Sequence, residues 1–151
     1  MDASASAEEQ FRRGLRLLAD GEQARALRHF ETAHGLEPGD ARYRSHYGLA
    51  LALVERRFER ALELCRAAAQ QELTNAELYH NLARVHLAFG FKAEAIRYLQ
   101  RVVEIDPGHE PGHEALARLG ERRSPVLRFL PRRHAINRWL GRIRRLRSVG
   151  R

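Results

Sequence analysis

Apolar residues recur along most of this chain at intervals of three and four, the spacing that places them on one face of a helix. Between residues 76 and 109, two such runs stand on either side of Gly90, where the chain has to turn. Pro107 ends the second run because proline cannot continue the hydrogen-bond ladder of a helix. The pattern predicts a pair of amphipathic helices. Its apolar positions are Leu78, Leu82 and Val85 in the first run, and Ala95, Ile96, Leu99 and Val102 in the second.

The helix pair is repeated. LEPGD at 36–40 returns as IDPGH at 105–109, 69 residues later, which suggests a further copy between the two. The small residues that mark the three copies are Gly14, Gly48 and Ala83 on the first helix, and Ala26, Ala61 and Ala95 on the second. The first series is spaced by 34 and 35 residues and the second by 35 and 34. One inserted residue therefore lies between Gly48 and Ala61.

These copies resemble the tetratricopeptide repeat. Signature positions of that family are occupied in residues 76–109 by Tyr79, Leu82, Ala83, Gly90, Ala95, Leu99 and Pro107. Residues 7–40 and 41–75 are similar to it in phase, although Leu73 stands where proline is usual. The resemblance implies an all-α fold, a right-handed superhelical solenoid of helix-turn-helix pairs, with a capping helix at 110–123 after the third repeat. Residues 1–6 are expected to be a disordered N-terminus.

The resemblance also implies a function: a non-catalytic adaptor that holds a peptide or an amphipathic helix in a concave groove. An alternative within the same resemblance is a secretion-type chaperone with an apolar groove. Part of the groove set could belong to the core instead. The residues placed in the groove by repeat position are Phe11, Leu15, Leu18, Arg42, Ser45, His46, Leu49, His80, Asn81, Arg84 and Leu87.

Repeat proteins that clamp the terminal carboxylate of heat-shock chaperones carry Lys, Asn and Arg at five groove positions. Here those positions hold Phe11, Leu15, His46, Glu77 and Asn81. The sequence therefore predicts that this clamp is absent, because Glu77 would repel a carboxylate.

His109-Glu110-Pro111-Gly112-His113 has the form H-E-x-x-H of zinc peptidases. That chemistry needs both histidines on one face of a continuous helix, whereas Pro-Gly separates them here. The chain has no Gly-rich phosphate loop and no nucleophile elbow. We therefore expect no enzymatic activity, no metal and no cofactor.

The 151 residues suit one domain, and Cys65 is the single cysteine, so a reducing compartment is the simpler assumption. The start, MDASASAEEQF, lacks the features of a signal peptide, and we expect a cytoplasmic protein. Lys92 is the only lysine beside 26 arginines, a skew that a GC-rich bacterial genome would produce.

Charge is divided unevenly along the chain. The first 121 residues hold sixteen basic and nineteen acidic residues, whereas 122–151 hold eleven arginines and no acid. Within 124–151 the sequence predicts a basic amphipathic helix. It includes Arg132, Arg133, Arg138, Trp139, Arg142, Arg144, Arg145 and Arg147. This tail could pack onto the solenoid, attach the protein peripherally to anionic lipid, or bind an acidic protein; nucleic acid is less favoured because one tryptophan offers little base stacking.

Overall fold

The computed structural model describes residues 6–120. Over this part of the chain the structure consists of seven α-helices and short turns, without strands, and the all-α prediction is confirmed. The helices are α1 (Ala7–Ala19), α2 (Gln23–Leu36), α3 (Ala41–Val54), α4 (Phe58–Gln71), α5 (Ala76–Ala88), α6 (Lys92–Ile105) and α7 (Glu110–Arg118). The predictions for the N-terminal residues 1–5 and for the basic tail lie outside the described residues. None of the described helices is long and apolar enough to cross a bilayer.

The first helix of each pair, and likewise α7, begins at a polar residue whose side chain accepts a hydrogen bond from a backbone N–H of the first turn. Such a bond satisfies one of the donors that have no partner within the helix. The capping residues are Ser6, Asp40, Asn75 and His109, which recur every 34 or 35 residues. The caps therefore repeat in phase with the apolar pattern, and they fix where each unit starts.

Within each pair the turn has three residues, and its middle residue has a positive φ. Gly21 and Gly90 occupy this position in the first and third repeats, with φ of 81° and 82°. The second repeat carries Arg56 there, with φ of 58°. Residues other than glycine rarely adopt this region of backbone conformation. The turns are equal in length, and α3 has fourteen residues against thirteen in α1 and α5. The inserted residue therefore lies in α3, inside the interval that the repeat spacing predicted.

Small residues allow the paired helices to approach closely. A Cβ atom on Gly14 would lie 2.6 Å from the Phe30 ring, and one on Gly48 would lie 2.9 Å from Sγ of Cys65. The middle helix α3 packs against α2, α4 and α5, and nine of its fourteen residues are buried. The core of the stack therefore runs through α3.

The stack continues past the third repeat through α7, which packs on α6. Pro111 stands in its first turn, and Gly112 faces Val102 so closely that a Cβ atom would come within 2.8 Å of it. Throughout residues 6–120, each helix makes its extensive contacts with helices one or two places away in the chain. The helices therefore form a linear series.

Candidate functional site

The residues that were assigned to the groove from their positions in the repeat divide into two groups. Five of them are buried: Phe11, Ser45, His46, Leu49 and Asn81. Six reach the surface at least in part: Leu15, Leu18, Arg42, His80, Arg84 and Leu87. The buried five belong to the core, so their assignment to the groove is wrong, and the other six stay a prediction.

Phe11 is buried because three other rings surround it. Its ring centroid lies 5.8 Å from that of Phe30, 4.8 Å from Tyr43 and 5.0 Å from His46. Rings at these separations and tilted against one another make favourable contacts. Phe11 thus holds α1 against α3 and offers little surface to a ligand.

The buried polar residues connect the second and third repeats. The Asn81 amide donates a 3.1 Å hydrogen bond to Oγ of Ser45, and the Cys65 thiol donates to the Ser45 backbone oxygen at 3.3 Å. Because buried polar groups are costly without partners, these bonds explain how the Ser45 hydroxyl and the amide nitrogen of Asn81 are buried at positions where a groove was predicted. Burial also raises the pKa of the Cys65 thiol to about 12.

Arg42 is an exposed cation that already has partners. Its guanidinium lies 2.8 Å from the Asp40 carboxylate and 3.4 Å from that of Glu8. The Tyr43 hydroxyl donates to the same Glu8 carboxylate, and this bond is the largest cause that lowers the pKa of Glu8. The charge of Arg42 is therefore largely compensated within the fold.

Arg84 differs from Arg42. It is half-buried, and no carboxylate among residues 6–120 lies within ion-pair distance of its guanidinium. Burial lowers the pKa of Arg84, and the charge of Glu77 only partly offsets that effect. A cation in this setting is stabilised by any carboxylate brought to it.

Glu77 stands beside three histidines. Its carboxylate oxygens lie 3.4 Å from Nε2 of His109, 3.8 Å from Nδ1 of His80 and 3.9 Å from Nε2 of His46. Burial acts to raise the pKa of Glu77, but the neighbouring histidines outweigh it and the pKa is lowered. No sequence signal marks this cluster, since His109 is 32 residues from Glu77 and reaches it through the stacking of α7 on the third repeat.

The H-E-x-x-H form does not produce a shared site. His109 is the N-cap of α7 and points to Glu77, whereas the exposed His113 bonds through Nε2 to the Pro107 backbone oxygen at 2.9 Å. The two side chains are engaged with different parts of the structure, so the arrangement of a zinc peptidase is not formed.

Residues 52–119, from within α3 to the end of α7, match the sequence model of the family described as tetratricopeptide repeat. Over these residues the chain carries tetratricopeptide repeats. With seven helices over residues 6–120, the described part accommodates three repeats and a capping helix.

Solved tetratricopeptide-repeat domains share this fold. The domain of Arabidopsis OM64 is 18% identical with a TM-score of 0.61, and the likeness covers 77% of this chain and 95% of that one. The second domain of human RPAP3, in complex with the HSP70 peptide SGPTIEEVD, is 18% identical with a TM-score of 0.58, over 75% and 93% of the two chains. YrrB, a repeat protein with an unusual peptide-binding site, is 21% identical with a TM-score of 0.60, over 75% and 58%. No curated protein sequence matches the chain.

Five positions of this chain correspond to those that hold Lys, Asn and Arg in the proteins that clamp a terminal carboxylate. Phe11, His46 and Asn81 are buried, Leu15 is an exposed apolar residue, and Glu77 is an acid held among histidines. The described residues at these positions therefore offer no cation to a terminal carboxylate. Arg84, one turn further along α5 than His80, is a half-buried cation on a first helix, and no carboxylate of residues 6–120 lies within ion-pair distance of it.

Proposed function

We propose that this protein is a non-catalytic interaction module that binds a peptide or an amphipathic helix across the exposed surface of its first helices. Arg84 carries the proposal, because it is a half-buried cation without a carboxylate partner among residues 6–120. Leu15, Leu18 and Leu87 supply partly exposed apolar positions on the same series of helices. The combination suits a ligand with apolar anchors and one acidic group.

The peptide-bound RPAP3 domain and YrrB support this class of function by analogy of fold. The ligand proposed here differs from a clamped terminal carboxylate, because the clamp positions of this chain lack cations. Arg84 would instead form a hydrogen-bonded ion pair with a carboxylate of the ligand. Removing one partner of such a desolvated pair costs about 2–5 kcal/mol of binding free energy.

The test compares proteins that co-purify with the full-length chain and with two variants, Leu15→Glu and Arg84→Glu, by mass spectrometry. Leu49 is unsuitable for this purpose because a charge there would be buried in the core. Arg97→Glu is the matched control, since Arg97 is exposed on the second helix of the same repeat. We expect a partner that both groove variants lose and the control keeps; retention of every partner by both variants would contradict the proposal.

We further propose that the arginine-rich segment beyond residue 121 docks the module to an acidic surface. The absence of acids from 122–151 supports this, since each arginine near an anionic membrane contributes on the order of 1 kcal/mol. Sedimentation with phosphatidylserine vesicles should fall in Arg138→Ala/Arg142→Ala/Arg145→Ala and with added salt. Unchanged sedimentation with a lower melting temperature would indicate a tail packed on the solenoid.

Solubilisation of a co-expressed export substrate would instead favour the secretion-chaperone alternative.

A further inference from the structure

Three side chains with metal-binding atoms converge where the third repeat meets α7. Glu77 and His80 stand three residues apart on α5, a spacing that places them on the same helical face, and His109 is the N-cap of α7. One ligand atom from each residue can be chosen so that all three lie within 4.8 Å of one another. The fold thus brings together two imidazoles and one carboxylate from separate elements.

We propose that Glu77, His80 and His109 form a binding site for a divalent transition metal ion, of which Zn²⁺ is the best match. Zinc accepts histidine nitrogen and carboxylate oxygen as ligands, and a tetrahedral site with bonds of about 2.0–2.1 Å separates its ligand atoms by about 3.3 Å. The Glu77 oxygen lies 3.4 Å from His109 Nε2 and 3.8 Å from His80 Nδ1. Small side-chain movements would bring the set to metal-binding distances.

One nitrogen of this set has no partner in the fold. Nδ1 of His80 is buried and has no hydrogen-bond partner within the described part of the chain. That nitrogen lies 3.8 Å from the Glu77 carboxylate. A metal ion between the two would give the nitrogen a partner and would compensate the charge of the carboxylate.

The site has access to solvent. Glu77 and His109 line an open cleft of about 860 Å³ between the loops that follow α4 and α6, together with residues that include Thr74, Ile105 and Asp106. The Glu77 side chain is 45% exposed. An ion can therefore reach Glu77 and His109 from solvent, whereas the side chain of His80 is only 13% exposed.

Binding at His109 requires its ring hydrogen to move. Nδ1 accepts a hydrogen bond from the Gly112 N–H at 3.0 Å, so Nε2 carries the hydrogen and donates it to Glu77. A metal ion on Nε2 requires the hydrogen on Nδ1 instead, which removes the side-chain cap of α7. The Gly112 N–H keeps a 3.1 Å bond to the His109 backbone oxygen, so this donor stays satisfied.

The experiment titrates ZnCl₂ into the tag-free, metal-stripped full-length chain and measures binding by calorimetry. The ligand variants are Glu77→Gln, His80→Phe and His109→Asn. Asn is a good N-cap residue, and Phe keeps a ring at position 80, so both changes preserve local structure. His113→Asn is the control, because His113 lies on the same helix outside the cluster. Circular dichroism in EDTA verifies that each variant is folded.

We expect one zinc ion per chain in the wild type and in His113→Asn. Each ligand variant should weaken binding by more than the about 10–100-fold that is typical for the loss of an outer-shell partner. Nitrogen-detected NMR of the histidine rings should show the hydrogen of His109 moving from Nε2 to Nδ1 when zinc is added. The proposal is overturned if the wild type binds no more zinc than Glu77→Gln, which is partly exposed and should fold. It is also overturned if His113→Asn loses as much binding as His109→Asn.

Discussion

The Tyr43 hydroxyl donates a 2.8 Å hydrogen bond to the Glu8 carboxylate and so joins the first helix of the second repeat to that of the first. Tyr43→Phe removes this bond and leaves the buried ring in place. We expect the free energy of unfolding to fall by about 1 kcal/mol at neutral pH, the size of one net hydrogen bond to a partly exposed carboxylate. Urea unfolding of the two proteins measures the difference.

The same pair predicts a dependence on pH. The bond from Tyr43 lowers the pKa of Glu8 from its ordinary value of 4.5. A lowered pKa in the folded state stabilises the protein above the unfolded-state value, and this contribution is lost as the pH falls through the folded-state value. The difference in the free energy of unfolding between the wild type and Tyr43→Phe should therefore shrink as the pH falls from about 7 to about 3. An equal deficit at both pH values would contradict the assignment.

Replacing Gly48 tests the close approach of α3 and α4. A Cβ atom there would lie 3.0 Å from the Ala61 backbone oxygen, which cannot move without displacing α4. Gly48→Ala should destabilise the protein by about 1–3 kcal/mol, although alanine is the better helix former. Gly35→Ala is the control, because nothing lies within 4 Å of that position and the change should be neutral or stabilising by up to about 1 kcal/mol. Thermal unfolding of both variants distinguishes packing from helix propensity.

Arg56 has a positive φ, and its guanidinium carbon lies 4.3 Å from the centroid of the Phe89 ring. Glycine would relieve about 1–2 kcal/mol of backbone strain, and the lost cation–π contact is worth about 0.5–1 kcal/mol. Arg56→Gly should therefore stabilise the protein slightly, whereas Arg56→Ala should destabilise it, because alanine keeps the strain and loses the contact. Opposite signs in the shift of melting temperature are the expected result. A loss of similar size in both variants would mean that the left-handed backbone at this position costs little free energy.

Cys65 is fully buried, and burial raises its pKa to about 12. The thiolate is the form that reacts with disulfide reagents, so the native protein should be almost inert to Ellman's reagent at about pH 8. Labelling should become rapid above the urea midpoint and follow the unfolded fraction. Fast stoichiometric labelling of the native protein would contradict the placement of Cys65 between α3 and α4.

The repeat spacing was sufficient to predict the helices, since small residues such as Gly48 and Ala61 recur at contacts that every copy shares. The same rule assigned Ser45, His46 and Leu49 to a groove, but these residues are buried. A position within the repeat specifies a face of the helix; it does not specify how much of that face the adjacent helices cover, and α3 is surrounded by α2, α4 and α5. The outer first helices keep more of that face exposed, and Leu15 and Arg84 reach the surface there.

Two further features could not be predicted from the sequence, for a different reason. Arg56 occupies a turn position that glycine holds in the other two repeats. An arginine does not by itself indicate a left-handed backbone at that position. The Glu77 cluster depends on how α7 is seated on the third repeat, a long-range contact that local periodicity does not encode.

Because each helix contacts chiefly the helices one or two places away in the chain, the energetic cost of a local change stays close to where it occurs. A gene duplication that inserted one more helix pair between α4 and α5 would meet surfaces of the kind already present on both sides. The architecture is thus open to lengthening in whole units, and a longer descendant would extend the series of first helices while keeping the contact between α6 and α7.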